Sequence, residues 1–200
     1  MSNEILLATH NRNKIKEIEH ILKDLDMKVL SLDDIKDIPA VEEDGDTFTA
    51  NACKKAQLAA IKTGYTSLAD DSGLVVDVLG GQPGIYSARF AGEEADDAKN
   101  NQKLLQMMTM FNGEERKARF VCVIAISDPE GNIQTAEGEC QGWIGYEERG
   151  TGGFGYDPLF IPCGYNKTLA ELGSEEKNMI SHRAKALVKA KELLKKILCQ

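Results

Sequence analysis

Four polar stretches interrupt the apolar pattern of the chain, and each carries residue types that can do chemistry. Thr9-His10-Asn11-Arg12-Asn13-Lys14 closes an apolar run and opens a helical one. A helix start has backbone N–H groups without intrahelical partners, which attract anions. Thr9 and Asn11 add neutral hydrogen-bonding groups and Lys14 a charge, so a phosphate would suit the segment. The plainer alternative is a capped surface helix with a solvated lysine. A GxxxxGK[ST] phosphate loop is absent from the chain. The second stretch, Ala69-Asp70-Asp71-Ser72-Gly73, places two adjacent carboxylates after an apolar strand. Neighbours in an extended chain point to opposite faces, so one aspartate can face a cleft while the other fixes the turn. The acidic turn Glu42-Glu43-Asp44 can bring a further carboxylate there, and hard oxygen ligands of this kind suit Mg²⁺ serving a phosphate. An Asx turn ending the strand is the alternative.

The third stretch, Gly150-Thr-Gly152-Gly-Phe154-Gly155-Tyr156-Asp157-Pro158, matches GxGxxG. A dinucleotide fingerprint needs a helix directly after it, whereas Pro158 and the apolar residues that follow argue for a strand. What remains is a flexible loop in which Phe154 either stacks on a flat base or packs in the core. The fourth, Glu175 to Arg183, clusters Lys177, His182 and Arg183 near a helix start, with Ser181 as its cap. An arginine fork can read a purine carbonyl together with N7; capping plus surface charge is the alternative. The histidines, at 10, 20 and 182, have no metal-ligand spacing, and no GxSxG setting supports His182 as the partner of a nucleophile.

The elements that must hold these stretches follow from periodicity. Glu4–Thr9 and residues 27–32 are predicted strands, with a helix between them on Ile15, Ile18, Ile21 and Leu22. Asp46 or Thr47 caps an alanine-rich helix that ends near Gly64. Ser67–Asp71 is a short strand and Leu74–Leu79 a separate apolar stretch, parted by the carboxylate pair. Residues 94–111 are helical, Lys117–Asp128 and Ile133–Glu147 form a hairpin, and Leu159–Ile161 is a short strand. A last helix starts near Ser181. Strands alternating with helices, then a hairpin, imply an α/β fold with a mixed sheet.

At 200 residues, with no linker, repeat or charge block, the chain is expected to be a single domain over 1–200, at most bilobed. The net charge of −8 argues against duplex DNA or an anionic membrane as a general partner. A small anionic substrate needs basic residues gathered at one place. The apolar run Phe120–Ile126 falls far short of the roughly 20 residues of a membrane span. The opening residues Asn3 and Glu4 lack a basic signal-peptide start. Five cysteines without a CxxC pair indicate neither a disulfide framework nor zinc, and suit a reducing cytoplasm.

Taken in order, THNRNK, VEEDGDTF with ANACKKA, ADDSGL with GGQPGIYSARFAG, and GTGGFGYDPLF with EEKNMISHRA resemble the inosine/xanthosine triphosphate pyrophosphatase family over nearly the whole chain. Each block is weak evidence alone; the ordered set is specific. His10 departs from the glycine that many members carry there. The resemblance implies an elongated mixed β-sheet flanked by helices, with two lobes, a central active-site cleft and a homodimer. It implies Mg²⁺-dependent cleavage of dITP, ITP or XTP to the monophosphate and pyrophosphate. On the matching positions, Asp71 is the proton acceptor and a metal ligand, Glu43 the other metal ligand (Glu42 the alternative), and Ser72 a substrate contact. Thr9 to Lys14 form the phosphate loop, Lys55 lies near the phosphates, and Phe154, Gly155, Tyr156, Asp157, Lys177, His182 and Arg183 form the base side. A nucleotide sensor that does not hydrolyse would need the same loops without an organised metal. The intact Asp70-Asp71 pair and the acidic turn argue against one.

Overall fold

The computed structural model of the protein describes residues 4–25, 27–35, 41–94 and 96–198. The strands and α-helices are β1 (Glu4–Leu7), α1 (Arg12–Leu22), β2 (Lys28–Ser31), α2 (Phe48–Thr63), β3 (Ser67–Val76), α3 (Asp97–Met107), β4 (Lys117–Ser127), β5 (Ile133–Ile144), β6 (Phe160–Pro162), α4 (Ser174–Ile180) and α5 (His182–Leu198). The strands form a six-stranded sheet in the order β2-β1-β3-β4-β5-β6. β1 pairs in parallel with β2 and β3, and β6 pairs antiparallel with β5. The fold is therefore α/β with a mixed sheet, as the alternation of periodicities implies.

Two compact units divide the chain. The first takes Met1–Asp71, Cys122–Gly138 and Arg183–Gln200; the second takes Ser72–Val121 and Glu139–His182. In the first unit, strand alternation sorts side chains into two cores. Ile5 and Leu7 of β1 and Cys122, Ile124 and Ile126 of β4 pack with Ile18 of α1 and Leu187 and Leu194 of α5. Leu6 of β1, Ala8 just after it, and Val123 and Ala125 of β4 pack with Ala52, Ala56 and Ala59 of α2. Both strand faces are covered, which is why these strands read as unbroken apolar runs. The small residues of α2 let its backbone lie close to the sheet.

β3 obeys the same alternation. Leu68 joins the α1/α5 core and Ala69 the α2 core. Against the expectation of two apolar pieces parted by a turn, β3 runs without a break from Ser67 to Val76. Asp70 therefore fixes no turn; its charge is neutralised inside the fold, as described below. The seven-residue α4 was not legible, because it is too short and polar to show a period. Ser181 stands extended between α4 and α5.

The second unit packs Leu74 and Val76 of β3, Leu104 of α3, Phe120 of β4 and Phe160 of β6 in one core. Arg116 is buried there and donates to the carbonyls of Met108 (2.7 Å) and Ile144 (2.7 Å), anchoring the end of α3 to the end of β5. Among the described residues the cysteines are free; Cys199 lies outside them. Burial pushes the Cys122 thiol up to about 12, which leaves it an unreactive filler. No described helix is long and apolar enough to cross a membrane.

α2 is held at both ends. The Thr47 hydroxyl accepts from Ala50 N–H (3.0 Å), and Gly64 closes the helix at φ 72°. Thr47→Ala should lower stability by about 1 kcal/mol. Urea unfolding checks this, with a lower midpoint and an unchanged slope.

Candidate active site

Alternation along β3 decides where the two aspartates go. Asp70 lies two residues after Leu68 and so faces α1 and α5; Asp71 lies two after Ala69 and faces α2. Each meets the cations of the helix that it faces. Asp70 Oδ2 accepts from Arg183 Nη2 (3.0 Å) and Nε (3.2 Å) at the start of α5, and pairs with Lys14 of α1 (3.0 Å). Arg183 Nη1 is also bound to Glu17 of α1. Asp70 and Arg183 are both 1% exposed. Burial alone would raise the Asp70 carboxyl, but Lys14, Arg183 and Lys55 outweigh it and hold the group far below its ordinary range. Burial likewise works against the Arg183 cation, and Asp70 and Glu17 more than offset it.

Asp71 has a different environment. Lys55 of α2 reaches Glu43 (2.7 Å), the Asp70 carbonyl (2.7 Å) and Asp71 Oδ1 (3.5 Å). Burial lowers and these acids raise the Lys55 ammonium, with a net rise. Burial lifts the Asp71 carboxyl above its ordinary value, Lys55 opposes it, and Glu43 adds to it. Asp71 Oδ2 is buried with no hydrogen-bond partner among the described residues. The acidic turn is pinned from α2: Asn51, one helical turn before Lys55, accepts from Gly45 N–H at 2.8 Å.

The start of α1 differs from a bare anion site. The Asn11 side chain caps the helix by accepting from Asn13 N–H (3.0 Å) and Lys14 N–H (3.2 Å), so it occupies donors that an anion would use. Thr9 Oγ1 accepts from Asn11 N–H at 3.2 Å, and exposed His10 lies 3.5 Å from Asp33. Arg12 and Asn13 are exposed.

In the second unit, Ser72 continues β3 and is half-buried. The Phe154 loop is tightly tied. Asp157 Oδ2 accepts from Phe154 N–H (2.9 Å) and from Lys177 Nζ (2.6 Å), and the ammonium lies 4.7 Å from the Phe154 ring centroid. Gly153, at φ 72°, admits no side chain, since a Cβ there would lie 2.0 Å from that same carboxylate oxygen. Tyr156 is a buried anchor, its hydroxyl donating to the Ser87 carbonyl (2.9 Å). His182 stacks on Phe120 with centroids 4.6 Å apart.

Phe154, Asp157 and Lys177 thus gather as a group, while Lys14, Glu43, Lys55, Asp70, Asp71 and Arg183 form another. Sequence reasoning set Arg183 with the base-side residues; the structure engages it with Asp70 and Glu17. Glu17 had no signal, because it lies 166 positions from its partner.

Charged side chains gathered within β3 and on the helices that cover its two faces mark a candidate site in an α/β protein. The chain belongs to the Ham1 family, whose model matches residues 5–193, in agreement with the resemblance read from the motifs. It is similar to a dITP/XTP pyrophosphatase of Desulforamulus reducens (54% identity, covering 97% of this chain and 96% of that one). It is also similar to a dITP/XTP pyrophosphatase of Geobacter sulfurreducens (52% identity, 95% and 96%). Among solved structures, a HAM1 protein from Coxiella burnetii matches with a TM-score of 0.89 at 40% identity, covering 98% of this chain and 100% of that one.

The two aspartates should respond oppositely to neutralisation. Asp70→Asn removes the carboxylate that buried Arg183 and half-buried Lys14 share, while Glu17 stays with Arg183, and should cost about 3–5 kcal/mol. Asp71→Asn removes a charge that its surroundings disfavour, so stability should hold or rise; paired urea titrations check both. The sign for pH follows from linkage. The folded Asp70 carboxyl lies below its unfolded value, so its contribution is complete above about pH 4 and is lost as pH falls through the folded value.

Proposed function

We propose that this protein hydrolyses dITP, ITP and XTP to the nucleoside monophosphate and pyrophosphate. The family and the names of its relatives support this reading. The observation that carries the chemistry is Asp71: a buried carboxylate of raised proton affinity, with one oxygen lacking a hydrogen-bond partner, beside Lys55 and Glu43.

Asp71 takes the proton from the attacking water as the water closes on the α-phosphorus. Its Oδ2, which has no hydrogen-bond partner among the described residues, leaves it free to accept that proton. Lys55 and Lys14 offset phosphate charge, which lets a chain of net −8 bind a polyanion. Asp70 keeps Lys14 and Arg183 in position while remaining ionised itself.

Glu43 and Asp71 fit a Mg²⁺ ion. Mg²⁺ commonly takes one or two protein carboxylates and completes its shell with water and phosphate, and Asp71 Oδ2, buried with no hydrogen-bond partner among the described residues, is a ligand atom for it. When bound, the ion lowers the pKa of a coordinated water and offsets phosphate charge. No trio of His, Cys, Asp or Glu able to hold a metal occurs among the described residues, so substrate oxygens and water would supply the rest.

On the base side, Phe154 stacks on the purine and Lys177 donates to the six-oxo group that hypoxanthine and xanthine carry. The adenine amino group would face a donor and leave it unpaired, a loss of up to roughly 10⁴-fold in a site built on hydrogen bonds. Arg183, placed on the base side by the sequence motifs, is engaged with Asp70 and Glu17. Thr9, His10, Asn11, Arg12 and Asn13 flank the phosphates, and Ser72, Gly155, Tyr156, Asp157 and His182 complete the substrate contacts. A homodimer working in the cytoplasm on free nucleotides, without nucleic acid or membrane, belongs to the same proposal.

The test supplies ITP, dITP, XTP, GTP and ATP with Mg²⁺ and measures pyrophosphate separately from orthophosphate. Pyrophosphate should appear from the first three, and chelation with EDTA should stop it. Asp71→Asn should lower kcat about 10²–10⁴-fold with KM little changed. Orthophosphate as the sole product, or equal rates on ITP and ATP, would refute the proposal.

A further inference from the structure

We infer that Asp97 and Asn101 of α3 are positioning residues that set base recognition by gripping both ends of Gly155. Asp97 Oδ2 accepts from Gly155 N–H at 2.7 Å, and Asn101 Nδ2 donates to the Gly155 carbonyl at 3.1 Å. The two side chains are four residues apart and so share one face of α3. They hold the residue next to Phe154 in the left-handed region, at φ 61°.

The grip continues the ties that already fix the ring. Phe154 N–H is bound to Asp157, and the peptide after Phe154 is bound through its N–H to Asp97. The orientation of the Phe154 plane under the Lys177 ammonium therefore depends on α3 as well as on Asp157. The helix is a firm support. Asn100 donates to the Ala88 carbonyl (3.0 Å) and accepts from Ala91 N–H (2.7 Å), Leu104 is fully buried, and Arg116 binds the Met108 carbonyl beyond the helix end.

Asn101 also shows the expense of the arrangement. It is 2% exposed, and its Oδ1 has no hydrogen-bond partner among the described residues. An unsatisfied buried acceptor costs about 1–3 kcal/mol. A nonpolar residue would avoid that cost, so the amide's use is to reach Gly155 from within the core.

This inference rests on the base-reading role proposed for Phe154 and Lys177, and the experiment separates the two. Wild-type protein is first assayed on ITP and ATP; equal rates overturn the base-reading proposal before any variant is made. Asp97→Ala removes an exposed side chain and keeps the core. Its Gly155 amide should exchange with solvent faster by NMR. Its KM for ITP should rise tenfold or more, towards roughly 10²-fold, while kcat stays within about threefold because the contact serves binding rather than the reacting atoms. Asp97→Asn keeps an oxygen acceptor and should recover most of the loss. Asn101→Ala, which releases the carbonyl end, should raise KM in the same sense. Faster Gly155 exchange with an unchanged KM overturns the inference, as does a loss that Asp97→Asn does not recover.

Discussion

Two adjacent aspartates on a strand covered on both faces cannot share an environment. The pleat of β3 sends Asp70 to one helical layer and Asp71 to the other. Each layer then supplies its own cations, and the two carboxylates acquire opposite properties. Asp70 meets Arg183 and Lys14 and is locked as an anion; Asp71 meets one lysine shared with Glu43 and keeps an open oxygen. A one-residue slip in register would exchange them. The pair thus depends on the packing of Leu68 and Ala69 behind it as much as on its own charges.

The helices are consequently more than scaffold. α2 brings Lys55 to the Glu43 and Asp71 carboxylates and, one turn earlier, Asn51 to the acidic turn. α1 contributes Lys14 and Glu17, and α5 contributes Arg183, all to the face of β3 occupied by Asp70. Buried charges of opposite sign satisfy one another there, which limits the desolvation penalty that each would otherwise suffer. In the second unit a single carboxylate, Asp157, ties a backbone N–H and an ammonium to one aromatic ring.

Much of this was legible because local rules dominate it. The apolar runs of β1 and β4, the Asn11 and Thr47 caps and the Gly64 stop are properties of neighbours in sequence. The ordered motifs also marked the polar stretches that the structure divides between two groups. The break expected at Asp70-Asp71 failed because burial with partners removes the penalty that normally ends a strand at a charge. α4 escaped because seven polar-faced residues show no period.

Sequence alone determined the residue types, their local elements and, through the period of two, that Asp70 and Asp71 must face opposite ways. Only the tertiary structure decided which cations meet them, that Arg183 is engaged with Asp70 and Glu17, and that α3 grips Gly155. The physical reason is range. Caps and alternation act over a few bonds, whereas the pairing of charges 113 and 166 positions apart depends on how the layers pack.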